Sequence, residues 1–189
     1  MENKPLLYDT LHMEQIRKNA LKTVINMTIF YQKMKTSMGD IHIAADENNL
    51  LTVTYGIANW ERIGKELGRI QKRGNEITKK TIVQLHEYLA KERTRFDLPL
   101  TFVGTDFQTQ SWQALLTIPY GETRSYSEQA TIVGKPKAVR AVGGANGRNP
   151  IGIIVPCHRV IGKSGKLSGY AGGVEIKKFL LRIEGGFKE

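Results

Sequence analysis

Apolar and polar positions alternate in short runs between Met27 and Gly56, and each run stops at turn residues. Three runs carry the alternation: "MTIFYQKM" from Met27, "GDIHIAAD" from Gly39 and "LLTVTYG" from Leu50. A period of two sends successive side chains to opposite faces, so each run is predicted to be a short β-strand. The period then lengthens. In "NEITKKTIVQLHEYLAKE", from Asn75 to Glu92, the residues Ile82, Leu85 and Leu89 share one face of a predicted helix. "RFDLPLTFVGTD" follows as an extended connector, with Pro99 and Gly104 punctuating the change of pattern.

Beyond Gly104 the pattern is mostly helical. "DFQTQSWQALLTI" is predicted to open at a Thr105 or Asp106 cap and to close before Pro119. "SYSEQATIVGKPKAVRAVGGANGRNP" reads as a short helix, a turn through Gly134 and Pro136, and a second helix from Lys137, the sequence shape of a helix-turn-helix. On that second helix Ala138, Ala141, Val142 and Ala145 share one face, and Lys137, Arg140, Gly143, Gly144 and Gly147 the other. Glycine costs a helix about 1 kcal/mol against alanine, so three on one face need a reason. Close packing against another helix is one; a bare ridge that admits a DNA backbone is the other. "IGIIVPCHRVIGKSG" reads as a strand bracketed by Pro150 and Pro156. "GGVEIKKFLLRIEGG" closes the pattern as a helix with Ile176, Phe179, Leu180 and Ile183 on its buried side and Gly185 as its stop. The pattern thus divides the chain into an extension over residues 1–26 (Met13, Ile16, Ala20 and Val24 at helical spacing), an α/β unit over 27–100 and a helical unit over 104–189.

Charge adds a partner to this picture. The net charge is +10 in 189 residues, which suggests an anionic partner. Between Glu128 and Glu175 there is no acid, but there are seven bases: Lys135, Lys137, Arg140, Arg148, Arg159, Lys163 and Lys166. A solvated basic face and a nucleic-acid surface both fit that asymmetry. No apolar run approaches membrane-spanning length, and the N-terminus lacks a secretory signal. The single cysteine permits neither an intramolecular disulfide nor a multi-thiolate zinc site. A reducing, cytoplasmic setting is expected.

That cysteine, Cys157, lies in the middle of the basic stretch. Free cysteine is usually a buried, inert hydrophobe. Against that stand the adjacent His158 and the glycine-rich loop "SGKLSGYAGG" just beyond, suited to a flat ligand. A thiol of ordinary pKa is mostly protonated at neutral pH, so a working nucleophile needs a base or a positive charge beside it. Glu184 is an anion in the last turn of a helix, where the dipole disfavours it. It is either a tolerated surface acid or a carboxylate placed to accept a hydrogen bond from an imidazole.

Four segments, "PYGETRSYSEQA", "KAVRAVGGANGRNP", "IVPCHRVIGKSGKLSGYAGG" and "FLLRIEGG", resemble the O6-alkylguanine-DNA alkyltransferases, also called methylated-DNA–protein-cysteine methyltransferases. The resemblance spans roughly residues 27–186 and is dense from Gly104 onward. It implies an α/β N-terminal domain with a ribonuclease-H-like sheet and a mainly α C-terminal domain with a helix-turn-helix of winged-helix-like form. It implies direct-reversal repair: a monomer binds double-stranded DNA through the minor groove, flips O6-alkylguanine (and O4-methylthymine) out of the stack, and takes the alkyl group irreversibly onto Cys157.

Residue by residue, the resemblance implies that His158 relieves the thiol of its proton through a water and that Glu184 orients that histidine. Asn149 ties the turn to the active-site loop, Tyr126 touches the guanine edge and helps protonate the leaving base, and Lys177 lies near the thiol. The carbonyls of Cys157 and Val160 accept from the guanine amino group, the Ala171 amide faces O6, and Tyr170 and Ser168 belong to the pocket. Arg140 fills the gap left by the flipped nucleotide; Gly143 and Gly144 form the ridge; Lys135, Lys137 and Arg148 meet phosphates. Transfer of an sp³ carbon to sulfur needs no metal and no organic cofactor. The N-terminal zinc site of some relatives cannot form here, and Gly152 and Ser168 fall at positions that vary among relatives. Two other classes stay open. One is a non-catalytic alkylated-DNA-binding regulator, although proteins of that kind lack the acceptor cysteine. The other is a cysteine hydrolase, for which His12, His42 and His86 offer no supporting motif.

Overall fold

The computed structural model describes residues 27–65, 67–167 and 169–186. The helical spacing within residues 1–26 and the pocket residue Ser168 lie outside them. All three predicted strands form: β1 (Thr28–Thr36), β2 (Gly39–Ala45) and β3 (Leu50–Tyr55). Antiparallel pairing joins β1 to β2 and β2 to β3. The side chain of Asp46 closes the β2–β3 turn by accepting from the amides of Asn48 and Asn49 at 2.7 and 2.6 Å. A short helix α1 (Ile57–Gly64) then returns the chain to β4 (Arg69–Gln71), which lies parallel to β1. The sheet is therefore mixed, in the order β3-β2-β1-β4. Helix α2 (Glu76–Leu89) starts at a capping box between Asn75 and Thr78.

A register shift near Ala44 and Ala45 leaves Leu51 as the extra residue of β3. Leu51 joins Ile29, Ala44 and Trp60 on one side of the sheet, while Ile41, Ile43 and Val53 pack with Leu85 and Tyr88 of α2 on the other. The edge of β3 does not stay open. Leu50 exchanges hydrogen bonds with Pro99 and Thr101, and Val53 with Pro150 and Gly152 at 2.9 and 2.7 Å. That second bridge docks the segment leading to Cys157 onto the N-terminal sheet.

Helix α3 (Asp106–Leu115) opens at a capping box between Thr105 and Gln108, which settles the cap on Thr105. Helices α4 (Tyr126–Ile132) and α5 (Val139–Asn146) form the predicted helix pair. A reciprocal amide pair between Gln129 and Asn146, at 3.0 and 2.7 Å, ties α4 to α5. The Trp112 indole donates to the Ala145 carbonyl at 2.9 Å and ties α3 to α5. One turn of 3-10 helix covers Cys157–Arg159, β5 (Arg124–Ser125) pairs with β6 (Val160–Ile161), and α6 (Val174–Ile183) is the last element among the described residues. The main core runs unbroken from Ile41 and Leu85 through Trp112 and Ile151 to Leu180.

Several expectations change. Ile151–Val155 is not a strand: Ile151 makes one bridge and the chain then turns sharply, with Ile153 at φ 69°. Lys137 precedes α5 instead of opening it. Ala141 is exposed, and Asn146 takes its place on the buried face beside Val142 and Ala145. On α6, Phe179 is 36% exposed while Lys177 is fully buried. Helix α1 and strands β4, β5 and β6 have no counterpart among the predicted elements; the strands are two or three residues long, too short to show a period.

Candidate active site

The cysteine is presented by a run of tight turns. Its amide donates to the Val155 carbonyl at 2.8 Å across Pro156, whose φ of −85° and ψ of 62° make an inverse γ-turn. Proline sets the φ that this turn needs. Upstream, the left-handed Ile153 is a strained conformation for a β-branched residue. It is held by hydrogen bonds on both sides, Ile154 to Gly152 and Val155 to Ile151. Asn149 staples the loop: its Nδ2 donates to the Val155 carbonyl at 2.8 Å and to Cys157 Sγ at 3.2 Å, and its Oδ1 accepts from the Ile151 amide. Burial pushes the Cys157 thiol up, outweighing Asn149, the Lys177 charge and the local amides that favour the thiolate. At rest it is a protonated thiol, not a standing thiolate.

His158 is wholly buried, and its Nε2 lies 2.8 Å from Glu184 Oε1. An ionised carboxylate only accepts, so Nε2 carries the proton and Nδ1 carries the lone pair. Nδ1 has no hydrogen-bond partner among the described residues. Glu184, at the C-terminal cap of α6, accepts far more than one bond. Tyr88 donates at 2.7 Å, Arg159 through Nε and Nη2 at 2.8 and 3.0 Å, and the Gly121 amide at 3.2 Å. Burial pushes its carboxyl up, but the hydrogen bonds and charges of His158 and Arg159 outweigh that and hold it at about 2. His158 is pushed down by burial, against the pull of Glu184, and is neutral at pH 7. The misplaced anion of the last helical turn is thus the acceptor at the centre of a buried network.

Lys177 reaches the same region from α6. Its Nζ donates to the Val160 carbonyl at 2.6 Å and stands 5.7 Å from the centre of the Tyr126 ring. Burial holds its amine at about 8. Both carbonyls expected to meet the guanine amino group already accept one bond, Val160 from Lys177 and Cys157 from the Val160 amide; each keeps its second lone pair. Tyr126 begins α4, and its hydroxyl donates to the Gly169 carbonyl at 3.4 Å. Tyr170 and Ala171 stand with Cys157 and Asn149 around a cavity of about 20 Å³. That is room for one water and not for a purine. A larger open concavity of about 460 Å³ lies along Lys135–Ala138, at the turn between α4 and α5. It holds no reactive group.

On the surface of the helix pair, Arg140, Lys135, Lys137 and Arg148 are all exposed. Lys135 rests over the Phe107 ring at 5.4 Å, and Arg148 donates to the Gly144 carbonyl at 3.2 Å. The glycines of α5 are not there for internal packing. A Cβ at Gly143 would meet the Tyr126 ring at an ordinary 3.8 Å, and one at Gly144 would meet only the tip of Arg148 at 3.4 Å. Of the two reasons open for the glycine face, helix-on-helix contact is the one the structure removes.

Four participants escaped the sequence reading. Arg159 counted there as part of a basic surface, yet it is 7% exposed, ion-paired with Glu184 and bonded to the Ile118 carbonyl at 2.6 Å. Tyr88, Tyr55 and Asn59 come from the N-terminal half, and only the fold brings them here.

A thiol that lines one cavity with Asn146 of a helix pair of DNA-binding form defines a class: a DNA-binding protein that carries its own nucleophile. Residues 29–102 match the ribonuclease-like domain of 6-O-methylguanine DNA methyltransferase, and residues 106–186 match its DNA-binding domain. The chain belongs to the O6-methylguanine DNA methyltransferase family. It is 47% identical over 157 residues to the methylated-DNA–protein-cysteine methyltransferase of Methanosarcina acetivorans, covering 83% of this chain and 99% of that one. To the constitutive enzyme of Bacillus subtilis it is 46% identical over 156 residues, 82% and 94% of the two chains. A crystal structure of a Mycobacterium tuberculosis relative in complex with DNA superposes with a TM-score of 0.74 at 46% identity, covering 82% of this chain and 92% of that one. Among the described residues no helix is long and apolar enough to cross a membrane.

Proposed function

We propose that this methylated-DNA–protein-cysteine methyltransferase repairs O6-alkylguanine in duplex DNA by moving the alkyl group to Cys157 Sγ, once per molecule. The observation that carries the reading is the buried His158 ring. Glu184 fixes its proton on Nε2, so the unpartnered Nδ1 is the lone pair available to a neighbouring thiol that burial keeps protonated. Through a bridging water, Nδ1 takes the Cys157 proton as the sulfur attacks the sp³ carbon. The carbon–oxygen bond breaks, its electron pair stays with the guanine, and Tyr126 supplies a proton to the leaving base. Glu184 stabilises the imidazolium that results, and the thioether has no route back. Lys177 assists by lowering the thiol's pKa. No step calls for a metal or an organic cofactor.

DNA binding falls to the exposed face of the helix pair. Lys135, Lys137 and Arg148 meet phosphates, and the Gly143–Gly144 ridge lets the minor groove approach. Arg140 enters the stack where the base has left, offsetting part of the few kcal/mol that extrusion costs. The incoming base must displace the Tyr170–Gly172 loop, since the cavity at rest is too small for it. O4-methylthymine presents a similar alkoxy group on a six-membered ring and is the second substrate assigned. We assign all of these roles to a single chain acting as a monomer.

Incubation with DNA carrying a radiolabelled O6-methyl group tests the reading. Label should move to the wild-type protein at no more than one group per molecule. Cys157→Ser should retain DNA affinity and take up none. Label released as methanol would establish a hydrolase, and label left on the DNA a pure binder; either result would overturn the assignment.

A further inference from the structure

Tyr55 ends β3 in the N-terminal sheet and is 6% exposed. Its ring packs in the same core as Cys157, and the residue lines the small cavity beside the thiol together with Asn149, Tyr170 and Ala171. Its hydroxyl is one of two buried side-chain polar atoms, among the described residues, that lack a hydrogen-bond partner; the other is His158 Nδ1. A buried hydroxyl without a partner costs stability, and such exceptions call for an explanation. Tyr55 shares a cavity lining with Cys157, and His158 is the next residue in the chain. One orphan is explained by proton transfer, and the other is unused by that chemistry.

We propose that Tyr55 is a substrate-contacting, specificity-determining residue whose hydroxyl forms a hydrogen bond with the flipped base when the base enters the cavity. The inference rests on the alkyl-transfer reading above and extends it to the N-terminal domain. The surroundings hold Tyr55 in place for this task. Asn59, one turn along in α1, donates from Nδ2 both to the Tyr55 carbonyl at 3.0 Å and to the Ala171 carbonyl at 3.2 Å. The corner between β3 and α1 is thereby tied to the loop that covers the site. At Gly172 the two parts touch: a Cβ there would stand 3.0 Å from the Tyr170 ring and 3.2 Å from the Tyr55 ring. Only glycine lets the loop lie that close to both. When the loop yields to a base, the Tyr55 ring is a wall that stays, because the sheet fixes it. Burial pushes the phenol up and keeps it neutral, able to donate or to accept.

The test is Tyr55→Phe, which removes one oxygen and leaves the wall. Transfer rates are measured with duplex O6-methylguanine and with the free base, alongside the denaturant midpoint. One neutral hydrogen bond made only with substrate predicts a loss of roughly two- to tenfold, equal on both substrates. The midpoint should be unchanged or higher, because the hydroxyl is unsatisfied without substrate. Unchanged rates would overturn the proposal. So would a loss confined to the duplex, or a loss that comes with a lowered midpoint, since these mean a DNA contact or a structural role. Failure of the wild-type protein to take up label is a separate result that strikes the functional reading instead.

Discussion

Glu184→Gln replaces the acceptor at the centre of the buried network with an amide of the same shape. The variant leaves the Arg159 guanidinium buried without a counter-charge and turns an NH2 toward at least one donor. Breaking a buried ion pair by neutralising one partner costs about 3–5 kcal/mol. A second route gives a similar figure. A carboxyl held at about 2 in the folded protein, against an ordinary 4.5, contributes roughly 3 kcal/mol. The sign follows from the depressed value: the contribution is complete above pH 4.5 and is lost as pH falls from 4.5 toward 2. Urea unfolding of both proteins at several pH values between 7 and 2 isolates it, because Asp40, Asp97 and Glu128, whose partners also lower them, titrate alike in each. The stability gap should be about 3 kcal/mol at pH 7 and should close as pH approaches 2. Stability curves that stay parallel throughout would show that Glu184 is not the ionised hub, and the assignment of the His158 tautomer would fall with it.

Lys177→Met should remove a rise in wild-type stability between about pH 8 and 10.5, because an amine held at about 8 by burial sheds its proton on folding in that window. Urea midpoints across that range check the rise, and identical slopes in the two proteins would refute it. Arg140→Ala should slow transfer from duplex DNA by about tenfold or more while leaving the free base unaffected, since only the duplex needs extrusion. Equal losses on both substrates, read as second-order rates, would remove the intercalating role.

The strands and long helices were legible because their patterns are local. Alternation marks β1 to β3, and Thr105 and Asp106 both offer α3 a cap, which the structure places on Thr105. Legibility fails where a charged side chain is buried. Lys177 sits at the buried centre of α6 because the Val160 carbonyl meets its ammonium there, and Arg159 is internal because Glu184 neutralises it. Hydropathy places both outside. Phe179 errs the other way, since the face turned to the core is centred one or two positions from the one its spacing suggested. In the site, Cys157, His158 and Asn149 are close in sequence and carry a recognisable motif. Tyr88 lies 96 residues from the carboxylate it serves. Nothing in its local sequence separates it from any other core tyrosine.

That distance bears on how the protein is built. The residues of the motif lie in the C-terminal half, but the site does not close there. Tyr88 of α2 supplies one of the donors to Glu184 Oε1, and the Val53 backbone holds the loop that ends in Cys157. Asn59 holds the loop that covers it from the other side. Without the N-terminal sheet, the Pro150–Gly152 bridge has no partner strand, and the strained turn at Ile153 loses one of the attachments that sustain it. A strained turn persists only where its surroundings over-determine it. The ribonuclease-like domain therefore builds the thiol's surroundings from a distance: it holds the loop that ends in Cys157, completes the shell of the Glu184 carboxylate, and sets Tyr55 in the lining of the cavity beside the thiol.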